Sequence, residues 1–373
     1  MKYDVCIIGG GAAGLAAAAS FNKETRVCIL EKNSMAGRKI LSTGGGRCNM
    51  TNAACENCEM VLEFFRELGL ETRCDSEGRY YPYSNRASDV VAVLVAAMGE
   101  NISLRTGFDV KALSKVRGGH GEISGFMVSG GGCGGESETI FADRVILAMG
   151  GKAGPRYGTR GDGYRIAVTL GHTVTRVFPI LAGLECEAEG VDFRKLKGIR
   201  AAGRLVLHRE GKAVAEERGE IQFTEDGISG ICVFNLTPHI KAEVGEDPAE
   251  AMEKYRVEID LAPDFSHEEI AGRKSSFGIV TECLAETVSP QQLKSWILQV
   301  KAVKGWKEAQ ATCGGVDLDE INMETMESLM VRGLYFAGEI IDRQGPCGGF
   351  NLQNAWETGI KAAKAIDAEM GKK

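Results

Sequence analysis

Residues 3–14 read YDVCIIGGGAAG, and this stretch decides the fold. The apolar residues 5–8 predict a buried parallel strand, and the glycines after them form the G-x-G-x-x-G pattern of a dinucleotide-binding turn. An alanine-rich helix comes next, and a second apolar run then ends in Glu31. Strand, tight turn, helix, strand and acid follow in the order that the fingerprint requires. We therefore expect a Rossmann-type βαβ unit that binds a dinucleotide.

Each glycine of this turn has a predicted task. Gly9 permits the tight turn, Gly11 has no Cβ and so lets a pyrophosphate approach the backbone, and Gly14 lets the helix pack on the strand. The helix N-terminus offers unpaired N–H groups and a positive dipole end to the phosphates. We expect Glu31 to accept hydrogen bonds from a ribose, and a carboxylate there disfavours the 2′-phosphate of NADP. A Rossmann-like unit without a ligand is the disfavoured alternative, because all the features of the fingerprint coincide.

A second glycine-rich region lies near the C-terminus. Residues 333–339 read GLYFAGE, and residues 345–351 read GPCGGFN. We predict that both regions hold one FAD molecule, which ties the two ends of the chain together and supplies most of the chemistry. The run GGGCGG at 130–135 also fits G-x-G-x-x-G, but its flanks look like strands. We interpret it as a hairpin tip, so the sequence shows no separate NAD-binding domain.

The composition narrows the range of partners. The 373 residues carry a formal net charge of −7, which argues against nucleic acid as the main partner. There is no apolar run long enough to span a membrane, so no such span is expected. The chain starts directly in a strand without a basic and apolar leader, and we therefore expect a cytoplasmic protein. The oligomeric state stays open.

The cysteines and histidines give no metal motif. Twelve cysteines without a leader indicate a reducing compartment in which most thiols are free. The stretch CENC at 55–58 is the only C-x-x-C. It is either a redox or metal pair or two incidental thiols, and we favour the second interpretation because no other pair at metal spacing accompanies it. The five histidines are scattered, so we predict no metal site.

The residue pattern changes twice along the chain. Residues 1–185 and 307–373 have an α/β pattern and are predicted to form a discontinuous FAD-binding domain. Residues 186–306 are predicted to be an inserted substrate domain. Within it, 186–238 alternate like antiparallel strands and 239–306 are typical of amphipathic helices. The expected fold class is α/β, with an FAD-binding Rossmann domain and an inserted β-rich plus helical domain.

Four motifs carry a resemblance to a known family. They are TGGGRCN at 43–49, GDGY at 161–164, FTEDGISG at 223–230 and the GPCGGFN stretch. In this order they resemble the BaiN/YhiN-type NAD(P)/FAD-dependent oxidoreductases, which include aminoacetone oxidase-like flavoproteins, over nearly the whole chain. The resemblance implies a glutathione-reductase-like FAD domain that both termini close, with a β-rich and a helical segment inserted.

The chain departs from the family pattern at four positions. Glu225 stands where histidine is usual and Ile231 where proline is usual. Met149 and Cys347 stand where threonine is frequent. These changes leave the FAD motifs intact, but they put the family's usual substrate pocket in doubt.

The resemblance also implies a set of cofactor-binding residues. The loop 44–48 borders the phosphates and flavin, and Val110 meets the adenine through its backbone. A final helix opens near Asn351 and points its N-terminus at the flavin pyrimidine edge, where its dipole stabilises negative charge on the reduced flavin. The full set is Gly9, Gly11, Ala12, Ala13, Gly14, Glu31, Lys32, Arg38, Lys39, Gly44, Gly45, Gly46, Arg47, Cys48, Val110, Ala148, Gly150, Gly151, Gly338, Glu339, Gly348, Gly349, Phe350, Asn351 and Leu352.

The leading functional hypothesis is an FAD-dependent oxidoreductase. Flavin N5 would exchange hydride with a small organic substrate held between the FAD domain and the insertion, with FAD bound non-covalently. By resemblance, the reaction is reduction of a C=C bond conjugated to a ketone, as on a steroid or bile acid, with NAD(P)H as transient electron donor. Two alternatives stay open: an aminoacetone-like amine oxidase that uses O₂, and a non-catalytic or RNA-modification-related flavoprotein.

Candidate catalytic residues lie in or beside the motif loops: Arg47, Asn49, Tyr157 and Glu225. Tyr157 is a chemically suitable proton donor for enone reduction, and Glu225 is one if burial raises its pKa. Each has a structural alternative, in which Arg47 braces a glycine loop, Tyr157 packs in a loop and Glu225 is a solvated turn residue. Cys48 is either a reactive thiol beside the flavin or inert packing.

Overall fold

The computed structural model describes residues 2–119, 121–132, 137–241 and 246–371. The chain divides into two compact units, Met1–Phe178 with Ala311–Lys373 and Pro179–Gln310. The sequence placed the corresponding divisions at 185/186 and 306/307.

The first unit contains most of the strands and the longest helix. Its strands are β1 (Lys2–Ile8), β2 (Val27–Glu31), β3 (Thr51–Asn52), β4 (Thr72–Cys74), β5 (Arg79–Pro82), β6 (Ile102–Thr106), β7 (Asp109–Arg117), β8 (Ile123–Gly131), β9 (Glu138–Leu147), β17 (Ala311–Cys313) and β18 (Leu334–Phe336). Its helices are α1 (Ala12–Ser20), α2 (Cys58–Glu67), α3 (Ala87–Ala96), α4 (Asp162–Thr169) and α10 (Phe350–Met370), with 3-10 turns at Ile40–Gly46, Pro155–Tyr157 and Leu318–Glu320. Strand β10 (Phe178–Ile180) contains the boundary.

A seven-stranded sheet organises this unit. Its order is β6-β2-β1-β9-β8-β7, and β18 pairs in parallel with the carboxyl half of β9. Strands β6, β2, β1 and β9 are parallel, while β7, β8 and β9 form an antiparallel meander. All five residues of β2 are buried, as expected for a parallel strand covered on both faces. The expected α/β Rossmann class is confirmed.

The parallel strands bring the sequence motifs to one edge of the sheet. The carboxyl ends of parallel strands meet on the same side, where α/β folds bind their ligands. Here β1 leads into the 9–14 glycines, β2 ends at Glu31, and β9 and β18 lead into residues 148–151 and 337–339. Segments that are more than 300 residues apart in sequence therefore converge because of strand topology.

Close packing of α1 and α10 joins the two ends of the chain. A Cβ on Gly359 would lie 2.2 Å from the carbonyl oxygen of Ala13, so only glycine lets α10 approach α1 this closely. Gly338 supports the same contact, since its Cβ would lie 2.9 Å from Ala13 Cβ. The Gly338 N–H donates to Thr358 Oγ1 at 2.9 Å.

The second unit is built on a closed six-stranded antiparallel barrel, in the order β11-β14-β13-β12-β15-β16. Its strands are β11 (Leu184–Glu187), β12 (Arg200–Arg209), β13 (Lys212–Phe223), β14 (Gly227–Ser229), β15 (Tyr255–Asp260) and β16 (Trp296–Val303). Its helices are α5 (Phe193–Leu196), α6 (Ile231–Leu236), α7 (Pro248–Glu253), α8 (His267–Ala271) and α9 (Glu282–Ala285), with 3-10 turns at Thr237–His239 and Pro290–Gln292. Leu205, Ile221 and Trp296 are among the side chains that fill the interior, as in other small barrels.

The sequence prediction for 239–306 was wrong in part. This stretch was expected to be helical, but it contributes β15 and β16, which pair with each other and close the barrel against β12 and β11. The helices between them are short. Buried and exposed side chains alternate along both strands, so barrel pairing overrides the charged, helix-like composition.

The glycine run at 130–135 was expected to form a hairpin tip. Strands β8 and β9 pair antiparallel up to Gly130 and Glu138, which confirms the predicted flanks. Residues 133–136 lie outside the described residues. Across the described ranges, we found no helix with the length and apolar character needed to cross a membrane.

Candidate functional site

The β1–α1 turn is closed towards the sheet and open at its outer side. A Cβ added at Gly9 would lie 2.2 Å from Ala148 O, and a Cβ added at Gly14 would lie 1.9 Å from Gly9 O. At Gly11 a Cβ would meet no described atom within 4 Å. Gly11 is the N-cap of α1 and has no side chain to cap the helix, and the first N–H groups of a helix have no partner within it. The turn thus offers free backbone N–H groups beside open space, which fits the pyrophosphate of FAD.

Glu31 is held rigidly where the fingerprint expects a ribose. The residue is 7% exposed, and its Oε2 accepts the Gly10 N–H at 2.8 Å. Its Oε1 accepts both the backbone N–H and the side-chain amide of Asn33, at 2.7 and 2.6 Å. A carboxylate has about four acceptor sites, so one remains on Oε2 for a ribose hydroxyl. The geometry fits the predicted role.

Asn33 is a residue that sequence reasoning missed. Its amide also donates to the carbonyl oxygen of Tyr157 at 3.1 Å, and its Oδ1 accepts from Arg38 at 2.9 Å. Asn33 therefore joins Glu31, Arg38 and the loop after β9. A single asparagine after the fingerprint acid matches no sequence motif. Its role is visible only from its hydrogen bonds in the structure.

Two ion pairs join motif segments that are distant in sequence. Lys39 Nζ lies 2.7 Å from Glu339 Oε2, with both side chains largely buried. Glu339 Oε1 also accepts the Thr312 N–H at 2.8 Å. Lys32 Nζ lies 2.6 Å from Asp162 Oδ2. Lys39 and Glu339 neutralise each other, so any contact with phosphate or ribityl groups comes in addition to this pair.

The glycine loop before Asn49 has backbone angles that favour glycine. Gly44, Gly45 and Gly46 have φ of 56°, 66° and 85°, a region that other residues rarely adopt. Arg47 is exposed, donates to Gly44 O at 3.2 Å and lies 4.9 Å from the centroid of the Tyr81 ring. These contacts favour the bracing role for Arg47.

Cys48 is an inert thiol by its surroundings. The residue is fully buried, and burial raises the pKa of its thiol to about 12. A thiol with that pKa carries almost no thiolate near neutrality, and the thiolate is the reactive species. The packing interpretation of Cys48 therefore has the stronger physical support.

The N-terminus of α10 has an unpaired buried acceptor beside it. Asn49 Oδ1 is buried and has no hydrogen-bond partner among the described residues. It lies 2.8 Å from the place that a Cβ of Gly349 would occupy, and Gly349 is the N-cap of α10 with φ of 105°. A buried acceptor without a donor is costly unless a ligand donates to it. Like the open space beside Gly11, this buried acceptor fits a bound cofactor.

The side-chain amides of Asn351 and Asn52 fix the loop that precedes α10. Asn351 Oδ1 accepts the Gly345 N–H at 3.0 Å, and its Nδ2 donates to Gly345 O at 2.9 Å. Asn52 Nδ2 donates to Gly348 O at 3.0 Å. The loop 345–351 therefore keeps one shape, with its glycines next to the β3 segment.

A buried polar face of α10, missed by sequence reasoning, anchors its first turns. Gln353 accepts from the Thr51 hydroxyl at 2.6 Å and donates to Asn57 O at 2.9 Å. Glu357 is 1% exposed and accepts from Asn57 Nδ2 at 2.8 Å. Burial alone would raise the pKa of Glu357, but Lys361, Arg343 and Asn57 outweigh it and hold the pKa below its ordinary value.

The remaining candidate residues fall in different places. Tyr157 is half-buried after β9, with Arg156 stacked 4.8 Å from its ring centroid. Val110 is buried in β7. Glu225 belongs to the second unit, where its side chain is 61% exposed and lies 2.6 Å from Lys197. Within the first unit, Arg47 and Asn49 lie beside Gly44 and Gly349, whereas Tyr157 lies beside Asn33. The catalytic roles of all four candidates stay predictions.

In the described parts of the chain, we found no group of three or more His, Cys, Asp or Glu side chains that could hold a metal ion. The eleven cysteines that the structure describes are all free thiols.

Comparisons with known proteins agree with this geometry. The HI0933-like protein Rossmann domain family matches residues 3–62 and 56–365. The 3-dehydro-bile acid delta(4,6)-reductase of Clostridium scindens is 32% identical over 421 aligned residues, covering 96% of this chain and 98% of that protein. The ribosomal RNA dihydrouridine synthase of Escherichia coli is 27% identical and covers 98% of both proteins.

A solved structure extends the comparison to the fold. The 3-ketosteroid-delta4-(5alpha)-dehydrogenase from Rhodococcus jostii in complex with 4-androstene-3,17-dione superposes with a TM-score of 0.54 at 15% identity. The match covers 98% of this chain and 97% of that one. At this identity the likeness shows a shared fold.

Proposed function

The chain belongs to the HI0933-like Rossmann family of FAD-dependent oxidoreductases, and we propose that it reduces a carbon–carbon double bond conjugated to a carbonyl group. The family match confirms the BaiN/YhiN-type resemblance that the motifs indicated. The observation that carries the proposal is the whole-length match to a bile acid reductase at 32% identity, together with a cofactor edge whose geometry fits FAD.

In this proposal the residues of the sheet edge hold the cofactor. Gly11 and the first N–H groups of α1 bind the pyrophosphate, and Glu31 binds the adenosine ribose. Asn49 and the N-terminus of α10 bind the flavin ring and stabilise negative charge on it. When bound, FAD supplies the chemistry of hydride transfer between its N5 atom and the substrate. NADH or NADPH is the proposed electron donor.

The names of two relatives share one chemical change. A delta(4,6)-reductase of a 3-dehydro-bile acid saturates double bonds conjugated to a ketone. A dihydrouridine is a uridine whose C5–C6 double bond, conjugated to the C4 carbonyl, has been reduced. Reduction of a conjugated C=C bond is therefore the chemistry that both comparisons support, whereas the amine oxidase alternative has no counterpart in either name.

Charge favours a small molecule over RNA as the substrate. The second unit, Pro179–Gln310, carries 17 Lys and Arg against 23 Asp and Glu, a net charge of −6 out of −7 for the chain. An acidic surface repels a polyphosphate backbone, whose binding relies on Lys and Arg. We therefore propose a steroid-like enone as the substrate class. Uridine in ribosomal RNA is the second candidate, favoured by the 27% match over 98% of the chain.

An anaerobic flavin experiment tests the proposal. The purified holoprotein is reduced with NADH or NADPH and then mixed with a 3-keto-4-ene bile acid, a uridine-containing ribosomal RNA fragment, or buffer. We expect the enone to restore oxidised flavin absorbance much faster than buffer, with the saturated ketone as product. Reoxidation by the RNA fragment alone would establish the second candidate. Reduction of the oxidised flavin by aminoacetone, with no response to either acceptor, would refute the reductase proposal.

A further inference from the structure

The C-x-x-C stretch 55–58 has the backbone geometry of a disulfide loop. It follows β3 and leads into α2, and the Cys58 N–H donates to Cys55 O at 3.2 Å. This bond closes a four-residue turn, which brings the first and last Cα atoms within about 7 Å. Disulfides form between Cα atoms about 4.4–6.8 Å apart. Bridging Cys55 and Cys58 therefore needs little backbone movement.

The two thiols lie beside the same buried hydroxyl. Burial raises the pKa of both thiols, and the Thr51 hydroxyl lowers the pKa of each in part. The charge of Cys55 raises the pKa of Cys58 further, which places the two sulfur atoms near one another. Thr51 is fully buried, and its hydroxyl donates to Gln353 Oε1 at 2.6 Å.

We propose that Cys55 and Cys58 are a reversible dithiol–disulfide pair that takes low-molecular-weight disulfides as its oxidant. The thiolate of one cysteine attacks the reagent RS–SR, forms a mixed disulfide and releases one RS⁻. The second cysteine attacks the protein sulfur of that mixed disulfide, and the second RS⁻ leaves. The pair loses two electrons and two protons, and the reagent becomes two RSH molecules.

Accessibility and acidity set the character of the pair. Both cysteines are half-buried, so a small reagent reaches them, and both are free thiols in this structure. Burial raises the pKa of both thiols. Little thiolate is then present near neutrality, so exchange is slow and the disulfide, once formed, is slow to be reduced. The pair is thus unlike a low-pKa peroxide sensor.

The pair is coupled to the helix that borders the flavin in the proposed function. The bridge forms beside the buried Thr51 hydroxyl, which bonds Gln353 in the first turns of α10. Asn57, between the two cysteines, bonds Gln353 and Glu357. A covalent constraint on this turn therefore changes how α10 is anchored. We expect the oxidised protein to release FAD faster, a consequence that rests on the proposed function.

Peptide mapping tests disulfide formation without any cofactor. The full chain is incubated with oxidised glutathione, alkylated and digested with trypsin. Cleavage after Arg47 and Arg66 places both cysteines, with Cys48, in peptide 48–66, whereas Cys74 falls in another peptide. We expect 48–66 to be two hydrogen atoms lighter, with fragments that place the bridge between Cys55 and Cys58, and dithiothreitol to reverse it.

Matched variants make the result decisive. Cys55→Ser and Cys58→Ser should abolish the bridge, and Cys74→Ser, which removes an exposed neighbouring thiol, should leave it intact. Full alkylation of both cysteines, a stable glutathione adduct on either one, or a cross-link to the peptide of Cys74 would each overturn the proposal.

FAD release tests the coupling separately. Flavin fluorescence is followed after dilution of oxidised and reduced holoprotein. We expect dissociation at least threefold faster from the oxidised wild type, with no redox effect in Cys55→Ser. Equal rates in a protein that forms the bridge would overturn the coupling alone. A protein that forms the bridge but binds no FAD would instead refute the cofactor assignment of the proposed function.

Discussion

Two glycine substitutions in the β1–α1 turn separate cofactor binding from folding. At Gly11 a Cβ would meet no described atom within 4 Å, whereas at Gly14 it would lie 1.9 Å from Gly9 O. The backbone of Gly11 is extended, with φ of −86° and ψ of −163°, and valine adopts such angles readily. We therefore expect Gly11→Val to fold and to lose FAD, and Gly14→Ala to damage the fold itself.

The magnitudes of the two effects differ enough to measure. Valine at the N-cap of α1 costs at most about 1 kcal/mol of stability. An alanine Cβ overlapping a backbone oxygen costs about 3 kcal/mol or more, which lowers Tm by roughly 6 °C or more. Losing two charge-assisted bonds to the pyrophosphate costs about 3–6 kcal/mol. That loss lowers FAD affinity by about 10²–10⁴-fold.

Thermal melting of the FAD-free proteins and titration with FAD measure the two effects independently. We expect the Gly11→Val protein to melt within about 3 °C of the wild type and to show no saturable flavin quenching at micromolar FAD. The reasoning fails if Gly11→Val binds FAD with wild-type affinity. It also fails if Gly11→Val melts as early as Gly14→Ala, because the space around Gly11 would then not be open.

Four further outcomes are expected. Glu31→Ala should weaken FAD binding by about 1–3 kcal/mol, since ribose hydroxyls lose their acceptor; titration calorimetry measures this, and an unchanged Kd contradicts it. Acid precipitation should release all flavin to the supernatant as FAD, and yellow pellet or free FMN would speak against a non-covalent FAD. Glu225→Gln should leave FAD content unchanged and slow substrate-dependent flavin reoxidation, and wild-type turnover would make Glu225 a surface residue only. Burial lowers the pKa of His172 from 6.5, and the unfolded chain therefore binds its proton first as pH falls. The stability that neutral His172 contributes is fully present above the pKa of the unfolded histidine, 6.5, and declines as the pH falls below it. Thermal melts should therefore show a loss of stability on acidification that His172→Gln reduces.

The motif-bearing elements could be predicted from the sequence because their chemistry is local. The order of strand, glycine turn, helix and Glu31 needs only neighbouring residues, and β1, α1 and β2 lie where these patterns placed them. The convergence of residues 333–351 on the same edge was predicted from a shared ligand. In the structure, the parallel pairing of β18 with β9 brings these residues to that edge.

Residues whose roles depend on distant partners could not be predicted. Gln353 and Glu357 look like solvent-facing positions of an amphipathic helix, yet both are buried against the 51–57 segment. Strands β15 and β16 show the same limit. A stretch such as YRVEID at 255–260 satisfies a short helical pattern as well as an alternating one. Only closure of the barrel decides between them, and closure is non-local.

Two helix N-termini contribute a fixed positive potential at the sheet edge. Two lysines that the sequence assigned to the cofactor are paired, Lys39 with Glu339 at 2.7 Å and Lys32 with Asp162 at 2.6 Å. The N-termini of α1 and α10, each equivalent to about half a positive charge, remain as fixed positive groups. Backbone dipoles neither titrate nor change rotamer. In the proposed function, the contribution of these helix ends to the field on a flavin that gains negative charge on reduction therefore stays constant with pH.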